Sequence, residues 1–178
     1  MTDITNMNAL KFLNIIKLFV IDQAKKPLAQ NVDPKQVCKQ LLHHPFGARS
    51  AGIKINEIQA NPGLIQFSVT PQQGHTNGYD TCHAGYLSTL LDEGSVHAAQ
   101  TIAPEGTIPV TSSLSASFKE PVNPDQPIEV ENKIIALDGE RSAVVASTIK
   151  QGKEEPCVSS LAKITFYRPE NSAPVLAS

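Results

Sequence analysis

Residues 83–102, HAGYLSTLLDEGSVHAAQTI, decide how this chain folds. From Ala51 onward they are the one long run of helical periodicity, and Pro104 and Gly106 supply its stop. On a wheel of about 100° per residue they sort into three faces. Leu87, Leu90, Leu91, Gly94, Ala98 and Ile102 make an apolar stripe fit to pack on a sheet. Tyr86, Thr89, Glu93, His97 and Gln100 make a polar face, on which Glu93 and His97 form an i,i+4 pair of the solvated kind. On the third face stand Gly85, Ser88, Asp92, Ser95 and Ala99, small residues around one carboxylate.

Outward from the helix the periodicity is that of strands. Before it, Ile53, Ile55 and Ile58 predict one strand and residues 64–69 a second, joined by the turn Asn61-Pro62-Gly63. A loop from Pro71 to Cys82 leads into the helix. After it, Ile108–Val122, Ile128–Leu137, Ser142–Gln151 and Pro156–Tyr167 are β-branched or alternating, with Asp138-Gly139 and Gln151-Gly152 as turns between the last three. Short connections make these strands antiparallel. The class is therefore α+β, one long helix wrapped by a curved antiparallel sheet.

Residues 1–48 read as a helical extension. An amphipathic run over 9–21 is followed by Asp33-Pro34, an N-cap and a first-turn proline, which opens a second helix with Val37, Cys38, Leu41 and Leu42 on one face. The domain proper spans 49–169, and 170–178 is a loose tail. With 178 residues the chain has room for one domain and this appendage.

Composition removes several function classes. The formal charge of -2 leaves no positive excess for a phosphate backbone, so nucleic acid is not an expected partner. Aromatic residues at 5%, with no Trp, offer no stacking platform. Cys38, Cys82 and Cys157 are odd in number and lack metal-ligand spacing, which excludes a disulfide scaffold and a structural zinc site. Lys11, Asn14 and Lys17 break the greasiest stretch, so no membrane span is expected. The first seven residues hold Asp3 and no cation, so no secretory signal is expected and the chain reads as cytoplasmic.

Chemistry concentrates on the third helix face. Small residues let a ligand or a second backbone approach, and an Asp held among them, partly desolvated, becomes a better base. Asp92 has two open readings, a catalytic carboxylate or a solvated or lysine-paired helix residue. Glu93 diverges from it and makes no two-acid site. The first amides of a helix lack internal acceptors, so those near His83, Ala84 and Gly85 could hold a developing oxyanion or be capped by the preceding loop.

The run Asn77-Gly78-Tyr79-Asp80-Thr81-Cys82-His83-Ala84-Gly85, with Asp92 nine positions after His83, resembles the N-x5-HGG-x6-D signature of PaaI-like hotdog acyl-CoA thioesterases. Val110 to Pro121 is similar to that family's third strand. The likeness covers about residues 50–168 and implies a hotdog fold that hydrolyses an acyl-CoA to free acid and CoA, with no metal or other cofactor. Carried over, it makes Asp92 the general base or nucleophile and the Ala84 amide the oxyanion donor. Asn77 and His83 would orient substrate and hold the loop, and Thr111 would position water; Gly85, Ser88 and Ser95, the small residues of the Asp92 face on the wheel, are the candidates to line the substrate. It also implies an obligate homodimer, possibly a tetramer, with Asp92 facing the partner's loop.

Where the family has its first glycine this chain has Ala84, which keeps the amide provided that the position is helical. Alternatives to hydrolysis are an acyl-ligand binding hotdog protein without turnover and a hotdog hydratase or dehydratase. Cys82 reads as a buried structural cysteine, His75 as a loop histidine, and His43-His44 as a helix end. Arg141 and Lys119 are candidate partners for coenzyme A phosphates, and the first amphipathic helix is expected to cover a dimer surface.

Overall fold

A computed structural model describes residues 52–169; the helical extension expected over 1–48 and the tail over 170–178 lie outside the described residues. The elements are β1 (Ile55–Asn61), β2 (Leu64–Val69), a 3-10 turn (Gln73–His75), α1 (Ala84–Gln100), β3 (Ile108–Phe118), β4 (Ile128–Asp138), β5 (Ser142–Lys150) and β6 (Val158–Tyr167). The strands form one sheet in the order β1-β2-β4-β5-β6-β3, every neighbouring pair antiparallel.

Local chemistry sets the hairpins. Pro62 and Gly63 join β1 to β2, with Gly63 at φ 75, a conformation that favours glycine. Gly63 also accepts from Ile134 N (2.8 Å) and donates to Thr101 Oγ1 (2.7 Å), tying the hairpin tip to β4 and to the residue after α1. Glycines at positive φ likewise follow β4 and β5, at Gly139 and Gly152. The third expected strand stops early, at Phe118, because the amides of Lys119 and Glu120 both turn to Cys157 O. It then lies beside β6, at the sheet edge, and not beside β4.

The expected apolar stripe of α1 is the face that meets the sheet: Leu87, Leu90, Leu91, Gly94 and Ala98 are buried, and Ile102 just beyond. Leu90 and Leu91 have no exposed surface, worth about 2 kcal/mol each. Across them lie inward residues of every central strand, including Ile65, Phe67, Val130, Val145, Ile149 and Ile164. Gly94 rests flat on the Asn132 side-chain amide, and a Cβ there would fall inside it. Gly94→Ala should therefore cost about 3 kcal/mol, the upper end for overpacking. Denaturant unfolding should show this, with most of the loss restored by adding Asn132→Ala; an unchanged midpoint would refute the contact.

Candidate active site

The edge strand brings a hydroxyl to the helix. Thr111 Oγ1 donates to Asp92 Oδ1 at 2.7 Å, joining two residues 19 positions apart. A β-bulge makes this possible. On β3 the half-buried, helix-facing positions are Pro109, Thr111, Leu114 and Ala116, and the step of three between Thr111 and Leu114 is taken up at Ser112, where the pairing with β6 shifts. Without the extra residue the parity would reverse and either Thr111 or Leu114 would point outward. Asp92 is partly buried, and its second oxygen, Oδ2, takes no bond from the described residues.

At the start of α1 the three candidate amides have different fates. His83 N donates to His75 O (2.8 Å), and Gly85 N donates to the ring Nδ1 of His83 (2.9 Å), which is the N-cap. Accepting that bond leaves His83 Nδ1 without a proton. Ala84 N, at the first helical position, has no acceptor among the described residues. Ala84 is helical, as expected, since the positive-φ non-glycine residues are Asp80 and Asp125. The amide count at this exposed corner thus falls from three to one.

Asn77 builds the loop that presents this corner. Its Oδ1 accepts from Tyr79 N (2.8 Å) and Thr81 N (3.4 Å), its Nδ2 donates to Thr81 Oγ1 (3.0 Å), and its own N donates to Thr81 O (2.8 Å). These bonds hold Asp80 at φ 58. The loop is then pinned by Cys82 N to Val122 O (2.8 Å). Cys82 is buried, and burial with the nearby Asp125 pushes its thiol up to about 11, so it is a protonated structural group at neutral pH.

Other candidates spread apart. Ser88 is half-buried on the Asp92 face and Gly85 is exposed at the helix start. Ser95 is turned to the sheet, fully buried, its hydroxyl 3.0 Å from Ser147 Oγ. The polar face departs from expectation: Tyr86, Glu93 and His97 are buried, not solvated. The 3-10 turn folds His75 flat against Tyr86 (centroids 4.0 Å, planes 7° apart), and His97 Nδ1 meets Glu93 O at 2.7 Å, so these side chains lie against protein. Burial raises the Tyr86 hydroxyl above its ordinary range. Arg141 pairs with Asp138 (2.8 Å) on the surface, and Lys119 is exposed at the end of β3. Among the described residues no group of three or more His, Cys, Asp or Glu could hold a metal ion, and no helix is long and apolar enough to cross a membrane.

Sequence reasoning passed over a polar row inside the sheet. Asn132, Ser147 and Ser160 stand opposite one another on β4, β5 and β6, at one register and on the helix side. Apolar residues flank them on both sides, Val130, Ile149 and Val158 along one row and Ile134, Val145 and Ala162 along the other. Asn132 Oδ1 and Ser160 Oγ have no hydrogen-bond partner among the described residues. The signal was a small polar residue at an inward parity in three successive strands, visible only once the register is known.

Residues 79–158 match the family model described as the thioesterase superfamily. Solved structures with the same fold include the PaaI protein of the E. coli phenylacetic acid degradation operon (19% identity, 75% of this chain, 93% of that one, TM-score 0.65). A thioesterase family protein from Silicibacter pomeroyi is similar at 19% identity (74% and 98% covered, TM-score 0.63). A Streptococcus mutans UA159 protein bound to acetyl CoA is similar at 16% (65% and 89%, TM-score 0.57). No curated protein matches the chain. The fold is the hotdog fold, and the likeness to PaaI-like thioesterases read from the motif holds in three dimensions.

Proposed function

We propose that this hotdog chain hydrolyses acyl-CoA thioesters and does so as a dimer. The observation that carries the reading is the Thr111–Asp92 hydrogen bond, which turns two residues expected from the motif into one unit. With Oδ1 held by Thr111, Oδ2 is left to take a proton from water or to attack the carbonyl carbon itself. The Ala84 N–H, aimed out of the helix start, donates to the carbonyl oxygen as it gains charge. The acetyl-CoA complex of a structural relative supports a thioester of coenzyme A as the ligand class.

Helix geometry supports two copies. Ala84 and Asp92 are eight residues apart on α1, about 12 Å along its axis at ~1.5 Å per residue. That is too far for one thioester carbonyl to lie against both. A carboxylate from one copy and an amide from another meet the requirement. Strand β3 offers the surface, since among the described residues it is an unpaired edge of 11 residues. Large apolar side chains stand exposed along it, among them Ile108 (52%), Val110 (47%) and Phe118 (45%).

Thiol release from a panel of acyl-CoAs tests the hydrolysis. Turnover of at least one member is the expected result. Tight binding without release of CoA would favour the non-hydrolytic reading, and loss of enoyl-CoA absorbance would favour a hydratase.

A further inference from the structure

The polar row is the part of the inner sheet face that the proposed chemistry leaves unused, and its members differ in access. Asn132 is sealed under Gly94, and Ser147 is bonded to Ser95. Ser160 keeps 6% of its surface, and its Oγ has no partner among the described residues. Opposite it on β3 stands Ala116, with Leu114 two residues back; both face the helix side yet remain only half-buried. The inner face of β3 is therefore a half-buried row that leads from Thr111, bonded to Asp92 on the helix, to Ala116 beside Ser160. A nearly buried hydroxyl left unpaired is costly, so one lying beside a half-buried edge strand favours an occupant bringing a hydrogen-bonding group to that point.

We propose that Ser160 determines specificity: its Oγ hydrogen-bonds a hydroxyl or carbonyl on the acyl chain, and the preferred substrates are oxygenated acyl-CoAs. This rests on the acyl-CoA reading above. Ser160 is four residues along β6 from Ile164, the partner of Thr111, which is about 13 Å at ~3.3 Å per residue. Allowing about 3 Å for a contact at each end leaves roughly 7 Å between the thioester carbon and the polar group. An extended hexanoyl chain with a terminal hydroxyl has that reach. Leu114, Ala116 and Ala162 give its methylenes an apolar bed.

The test compares kcat/KM for 6-hydroxyhexanoyl-CoA and hexanoyl-CoA in the wild type and in Ser160→Ala. The wild type should favour the hydroxylated thioester at least tenfold, as sites built around a substrate hydroxyl do. Ser160→Ala should bring the ratio to about one by lowering the hydroxylated substrate alone, with the thermal midpoint level or raised, since an unpaired buried hydroxyl is removed. No preference in the wild type, or a preference that survives in Ser160→Ala, overturns the proposal. If neither thioester is cleaved, the wider acyl-CoA panel decides the hydrolase reading separately, and calorimetric affinities of both proteins for the same two compounds decide the selectivity by the same ratio.

Discussion

Asp92→Asn should lower acyl-CoA turnover about a thousandfold, within the span that removal of a positioned acid–base group or nucleophile produces. The side chain keeps its shape, and its amide oxygen still accepts from Thr111, so the 2.7 Å contact has no reason to break. What disappears is the oxygen that accepts a proton or attacks. Stability should be unmoved, because Asp92 is only partly buried and makes no ion pair among the described residues. Single-turnover CoA release, paired with a denaturant melt, reads both. Turnover within threefold of wild type would remove Asp92 from the mechanism.

Ala84→Pro should have a comparable effect from the opposite end of the helix. Proline is favoured at the first helical position, and His83 before it is extended (φ -65, ψ 134), the conformation a following proline demands. Only the N–H is lost. Removing one oxyanion donor typically costs 10²- to 10³-fold in kcat, so a loss of about that size is expected. The two inactive variants, unfolded and refolded together in equal amounts, should recover about a quarter of wild-type turnover. Random pairing makes half of the dimers mixed, and each mixed dimer holds one intact site of two. Absence of recovery, with each variant folded, would place amide and carboxylate in one copy.

The elements were readable because their causes are local. Alternation, the Asn61-Pro62-Gly63 turn and the Asp138-Gly139 turn are all settled within a few residues, and the stripe from Leu87 to Ile102 had only to meet some sheet. The position of β3 at the edge was not readable, because it depends on which distant strand it joins. The motif placed Asp92 and Thr111 as candidates through resemblance, but their contact depends on the bulge at Ser112, which no local preference announces. A wheel gives angles and not neighbours. It grouped Ser95 with Asp92, although one hydroxyl points down to Ser147 and the other side chain points across to Thr111. For the same reason it left Glu93 and His97 in water, where the folded chain buries them.

Pro109, a helix-facing residue of β3, also shapes the strand's other flank. Its partner Phe166 sends its N–H to Arg141 O (2.9 Å), on the side away from β3, so Pro109 sits in a non-hydrogen-bonded pair. Its ring nitrogen therefore points to the unpaired edge, where any incoming strand would seek a donor and find none. Three residues later the bulge at Ser112 breaks the spacing as well. A stray strand thus meets a blocked stretch from Ile108 to Ser112 and a usable one only from Ser113 to Phe118. The edge is screened against indiscriminate polymerisation while a short window stays open to a partner that fits it.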